Sequence, residues 1–122
     1  MQLHIQATKS SPLILYTAST DTLLIEGNSY PENSFQFYEP LFEFVQKELI
    51  LNKKTISIEI KLIYFNSTTS KTLFDFLDLL GETISSFEVK WYYNQENEFI
   101  LEAGEDLQED YPNMNIQLIC LD

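Results

Sequence analysis

Cysteine and histidine are almost missing from this chain: Cys120 and His4 are single copies. One thiol cannot close an internal disulfide, and no Cys/His spacing suited to zinc exists. A Ser-His-Asp or Cys-His arrangement could draw only on His4, near the amino terminus, which sets nucleophilic hydrolase chemistry aside. Glycine is scarce as well, at Gly27, Gly81 and Gly104. Neither a phosphate-binding P-loop nor a dinucleotide fingerprint can be built from these three. Basic side chains number seven against 19 acidic ones, for a formal net charge of -12. Such a chain repels phosphate backbones and anionic lipid headgroups at long range. Nucleic acid and membrane surfaces are therefore poor partners, and a basic protein surface is a better one. The charge also keeps a small protein soluble, and it informs on association rather than on fold. No stretch approaches about 18 apolar residues, and no basic region followed by a long apolar run opens the chain, so neither a transmembrane helix nor a secretory signal is expected. These absences point to a cytoplasmic protein without membrane insertion.

What is present suits a packed interior. The 122 residues fit one domain, 1–122, and 44% of them are hydrophobic, with nine Phe, seven Tyr and one Trp. A chain of this length buries roughly two thirds of the surface that its unfolded form exposes, so it needs no staples. There is no repeat, linker or low-complexity run.

Pro12–Tyr16 and Leu23–Ile25 are short apolar runs joined by a polar turn, which reads as a β-hairpin. The segment Gly27–Ser34 is dense in turn and capping residues. Beyond it Phe35, Tyr38, Leu41, Phe42, Val45 and Leu49 recur at helical spacing. Pro40 falls inside that stripe, which predicts a kink or a restart. Thr55–Leu62 alternates strictly between polar and apolar, the strongest strand pattern in the chain. It continues as Ile63-Tyr64-Phe65, apolar on both faces, which predicts an interior strand over Ile56–Phe65 in a covered sheet. A helix follows over about Thr68–Gly81, with Leu73, Phe74, Leu77 and Leu80 on one face and Gly81 as its terminator. Phe87–Tyr93 reads as a strand, Phe99–Leu107 as an acidic helix and Met114–Cys120 as a last strand. The order β-β-α-β-α-β-α-β implies an α/β fold, a mixed β-sheet flanked by helices.

Carboxylates crowd two helices, Asp75, Asp78 and Glu82 on one, Glu102, Glu105, Asp106, Glu109 and Asp110 on the other. Paired carboxylates can hold a divalent cation or do acid–base work. Nothing in the pattern gathers them in an apolar pocket, and solvated helix faces explain them equally well. The run Asn66-Ser67-Thr68-Thr69-Ser70 is different, because it places hydroxyls where a strand hands over to a helix. The first turn of a helix has unpaired N–H groups and a positive dipole end, which favour a phosphate. Plain N-capping by Asn66 or Ser67 accounts for the same residues.

Several motifs in register resemble the SiaC-like phosphoproteins of bacteria. They are Ser29-Tyr30-Pro31-Glu32-Asn33-Ser34, Tyr64-Phe65-Asn66-Ser67, Asp75-Phe76-Leu77-Asp78-Leu79-Leu80, Trp91-Tyr92-Tyr93 and Asn97-Glu98. The resemblance runs from about Leu3 to Asp110. It implies a fold similar to the anti-sigma-factor antagonist (STAS-like) domain. It also implies partner switching. A dedicated kinase phosphorylates the hydroxyl after the Asn, here Ser67, and a PP2C-type phosphatase removes the phosphate. The unmodified form binds and activates an effector, in the known branch a diguanylate cyclase. Ser67 stands where the family's best-known member has Thr, and Thr68 and Thr69 follow where it has serines, so these two are alternative acceptors. Tyr30, Glu32, Asn33, Asn66, Trp91 and Tyr93 are the expected partner-binding residues, with Tyr30 and Trp91 the strongest anchors if exposed. On an alternating strand Trp91 is equally suited to the core. No catalytic residue, cofactor or metal is expected. A constitutive interaction module of the same fold, without phosphorylation, is the alternative function.

Overall fold

A computed structural model describes residues 2–121. Six strands form one sheet in chain order: β1 (Leu3–Ile5), β2 (Leu13–Thr17), β3 (Thr22–Ser29), β4 (Ile56–Phe65), β5 (Phe87–Tyr93) and β6 (Ile116–Cys120). Pairing is antiparallel from β1 to β3 and parallel from β3 to β6. Helices α1 (Ser34–Lys47), α2 (Ser67–Thr83) and α3 (Glu98–Asp110) fill the three parallel crossovers. Each crossover steps to the next strand in the same direction. Right-handed connections then put all three helices on one face of the sheet.

The core obeys that topology. Ile14, Tyr16, Leu23, Ile25, Ile56, Ile58, Ile60, Val89, Trp91 and Ile116 occupy matching rows across the strands, and all are buried in one cluster with Tyr38, Leu41, Val45, Leu73, Leu77, Ile100 and Leu107 of the helices. The alternate rows, such as Ser57, Glu59 and Lys61 of β4 and Glu88, Lys90 and Tyr92 of β5, remain partly accessible on the uncovered face. There Lys90 pairs with Glu88 at 3.3 Å, and the Lys61 ammonium lies 4.8 Å from the Tyr92 ring centre.

Three expectations change and the one at Pro40 is narrowed. The sheet gains β1, whose three residues are too few to show periodicity. Helix α1 runs through Pro40 without a restart; Pro40 and Gln36, whose carbonyl it leaves unpaired, are both exposed, so water can serve that oxygen. Gly81 is helical, and α2 ends two residues later, where the extended and buried Ile84 pulls the chain into the core. Finally, β4 is an interior strand, as expected, but Ile63 and Tyr64 are exposed. Gly27 pairs with Leu62 and Asn28 with Tyr64, so Ile63 is an extra residue in a β-bulge. The bulge shifts the side-chain alternation, so that Phe65 is buried in the core and Tyr64 is left about half exposed. Gly27 lies opposite with φ 126°, a region that L side chains rarely adopt.

Candidate functional site

The bulge stands just before the turn into α2, and local chemistry fixes that turn. Asn66 is extended, at φ -91° and ψ 178°, and is the N-cap of α2. Its side-chain oxygen accepts from the Thr69 N–H at 2.9 Å and from the Thr68 hydroxyl at 3.0 Å. The Asn66 N–H donates to the Ser29 carbonyl at 3.2 Å, continuing the ladder between β3 and β4.

Three adjacent hydroxyls consequently have three fates. Ser67, the first residue of α2, is exposed, and no hydrogen bond engages its side chain among the described residues. Thr68 is exposed, but its hydroxyl is committed to Asn66. Thr69 is fully buried, which corrects its standing as an alternative acceptor. Its hydroxyl donates to the Ser29 carbonyl at 3.0 Å and lies 2.9 Å from Ser29 Oγ. Ser29 Oγ in turn meets Tyr38 OH at 2.7 Å, and Ser34 Oγ reaches Thr69 at 3.4 Å and Thr72 at 3.2 Å. This network joins the end of β3, the start of α1 and the first turns of α2 in the interior. Burial pushes the Tyr38 phenol up to about 12, against a smaller lowering by its bond to Ser29, so it remains protonated at neutral pH.

The segment Ser29–Ser34 therefore acts as a bracket beneath the first turn of α2. Ser29 and Ser34 enter the network, and Asn33 caps α1 by accepting from the Gln36 N–H at 3.0 Å. Glu32 is exposed beside it. Tyr30 is half-buried, and its ring meets that of Tyr64 edge-on with the ring centres 5.9 Å apart. Asn97 plays the matching part for α3. Its Oδ1 accepts from the Ile100 N–H at 3.2 Å, while its Nδ2 donates to the carbonyl of the bulged Ile63 at 3.0 Å. One side chain thus caps α3 and ties it to β4.

Between α2 and α3 runs a groove of about 480 Å³ with Ser67 and Ser70 on its α2 side. Phe65, Leu73, Phe74, Ala103 and Leu107 supply apolar lining, and Glu102 and Asp106 stand on the α3 side. Its mouth carries Tyr64 and Phe99, 47% and 48% exposed, with stacked rings 5.8 Å apart. Phe99 also packs on Phe65 at 5.1 Å. Trp91 forms part of the groove's floor but is 1% exposed, and its indole N–H donates to the Ile100 carbonyl at 2.8 Å. It is a core residue, so the expectation of a partner-facing anchor there is corrected. Tyr93 is half-buried at the end of β5. At this groove the exposed aromatic rings are instead Tyr64 and Phe99. The apolar run Ile63-Tyr64-Phe65 implies a covered Tyr64, and the bulge that exposes it leaves only one trace, a break of alternation after Leu62. Among the described residues, no group of three or more His, Cys, Asp or Glu side chains is placed to hold a metal ion. No helix there is long and apolar enough to cross a membrane.

Comparison with known proteins fits this geometry. Residues 5–121 match the family model described as SiaC family regulatory phosphoprotein. An uncharacterized protein of Pseudomonas aeruginosa (strain UCBPP-PA14) is 32% identical over 111 residues, covering 88% of each chain. Apo-SiaC from Pseudomonas aeruginosa superposes with a TM-score of 0.85 at 27% identity over 98% of both chains. A chain in the crystal structure of the diguanylate cyclase SiaD in complex with its activator SiaC, from the same organism, gives 0.87 at 29% identity, covering 97% of this chain and 98% of that one.

Proposed function

The chain belongs to the SiaC family of regulatory phosphoproteins, and from that premise we propose that it is a cytoplasmic, non-enzymatic partner switch whose phosphoacceptor is Ser67. A cognate kinase phosphorylates Ser67 and a PP2C-type phosphatase restores it. The unmodified form binds and activates an effector, a diguanylate cyclase by analogy with the complex that the related SiaC forms with SiaD. The observation that carries this reading is the contrast among the three hydroxyls: Ser67 alone is both exposed and unengaged.

The physical effect of the modification follows from its place. A phosphoserine brings a charge of about -1.5 to -2 and three acceptor oxygens. At the start of α2 it meets unpaired N–H groups and the positive dipole end, worth about 0.3–1 kcal/mol at an exposed position. The fold therefore tolerates it. At a partner interface the same group would have to be desolvated without guaranteed compensation, which costs several kcal/mol. Release of a partner then needs no refolding of this protein.

The test is made in the native cell with a tagged copy at the native locus. Mass spectrometry is expected to find phosphate on Ser67, and Ser67→Ala to leave a diguanylate cyclase permanently bound and active. A protein that binds the cyclase but never carries phosphate between Ser67 and Ser70 would instead be a constitutive interaction module.

A further inference from the structure

Exposed large hydrophobic side chains are few in this molecule, and three of them, Ile63, Tyr64 and Phe99, gather where the bulge of β4 meets the start of α3. Clustering of this kind marks a contact surface, since scattered apolar residues on a soluble protein need no explanation. The ledge opens into the apolar groove between α2 and α3. Every charged residue that lines the groove is acidic, Glu102 and Asp106, and Glu98 adds a third carboxylate on the first turn of α3. No basic side chain lines it, and the whole chain has no arginine.

We infer that this groove is the docking site of an effector segment that inserts an apolar side chain between Phe74 and Phe99 and flanks it with lysine or arginine facing Glu102 and Asp106. The inference rests on the partner-switch reading and specifies what the partner must look like. Aromatic ledges supply the hot spot, and the acidic rim supplies steering and register.

The sign of the charge decides how the switch works at this site. A dianion on Ser67 adds negative charge to a rim that already attracts a basic segment. A purely electrostatic contact would become tighter on phosphorylation. Release must therefore come from fit: the phosphoryl group occupies the α2 side of the groove and has to shed water against apolar side chains to let the segment in. A bulky neutral side chain at the same position does the same.

The experiment measures binding of the purified full-length protein to the diguanylate cyclase of its own cell, with circular dichroism confirming the fold of each variant. The wild type is expected to bind more weakly as salt rises. Phe99→Ala is expected to weaken binding by about tenfold or more, as is Glu102→Lys with Asp106→Lys, which also flattens the salt dependence. Ser67→Leu is expected to abolish binding as phosphorylation does. Ser67, Phe99, Glu102 and Asp106 are all exposed, so the variants are expected to fold. If the wild type binds but Phe99→Ala and the charge reversal stay within about twofold of it, the groove is not the docking site. If Ser67→Leu binds normally while the phosphoprotein does not, release is a charge effect and the argument from fit is overturned. Failure of the wild type to bind any diguanylate cyclase sinks the partner-switch reading, and this inference with it.

Discussion

At Asn66 one carbonyl oxygen holds both the Thr69 N–H and the Thr68 hydroxyl, so a single cap separates three neighbouring acceptors. Asn66→Ala removes that cap, which costs about 1 kcal/mol of stability. It also frees the Thr68 hydroxyl. We expect phosphate on Thr68 as well as Ser67 in this variant, read by peptide mapping from the native cell; phosphate confined to Ser67 would mean that the kinase, not the cap, chooses the acceptor. Thr69→Val probes the interior side of the same turn. It keeps the side-chain shape but leaves the buried Ser29 and Ser34 hydroxyls short of a partner. A loss of about 1–3 kcal/mol in urea unfolding is expected. The two residues also show what a sequence discloses at this scale. Asn66 is legible as a cap because capping acts over three residues. The burial of Thr69 is not, because its partner Ser29 lies 40 residues away and nothing local distinguishes it from Ser67.

Elements were legible wherever one face meets the core and the other meets water. The alternation of β4 and the helical stripe of α1 are of this kind, and both stand within a few residues of their expected limits. The bulge at Ile63 escaped because an extra residue in a strand produces the same continuous apolar run as burial on both faces. Gly104 escaped as well, since periodicity treats it as a gap in α3. Its place is a close approach: a Cβ there would sit 2.5 Å from Cδ1 of Trp91 and 2.7 Å from Cδ2 of Leu118. Trp91 cannot yield easily, being fully buried and bonded to the Ile100 carbonyl of the same helix. Gly104→Ala must therefore lift α3 off β5 and β6. The gain in helix propensity, up to about 1 kcal/mol, is outweighed by overpacking of typically 1–3 kcal/mol. A lowered melting temperature is expected, together with altered Trp91 fluorescence. A melting temperature at or above that of the wild type would show that α3 rides more loosely than this contact requires.

For the molecule as a whole, the buried phenols set the alkaline limit of stability. Tyr38 is held at about 12 by burial, against an ordinary value near 10 in the unfolded chain. Burial also raises Tyr111, whose hydroxyl bonds the Asp78 carboxylate at 2.8 Å, and raises Tyr16 beside Asp21 and Asn52. A raised folded-state value means that the native protein keeps its proton where the unfolded chain has lost it. The contribution is fully present below about pH 10 and is lost as pH rises towards the folded-state value. For Tyr38 alone the difference amounts to on the order of 2–3 kcal/mol. Stability in urea is therefore expected to fall from about pH 10 upwards, with tyrosinate absorbance from Tyr38 appearing together with unfolding rather than before it. Tyr38→Phe separates this effect from the acidity of the surface. It removes one ionisable group and one hydrogen bond, so the variant should be less stable at neutral pH and lose less on going alkaline. The self-repulsion of a chain at -12 is the same in both proteins, and cancels in the comparison. Equal alkaline slopes for wild type and Tyr38→Phe would place the titration elsewhere.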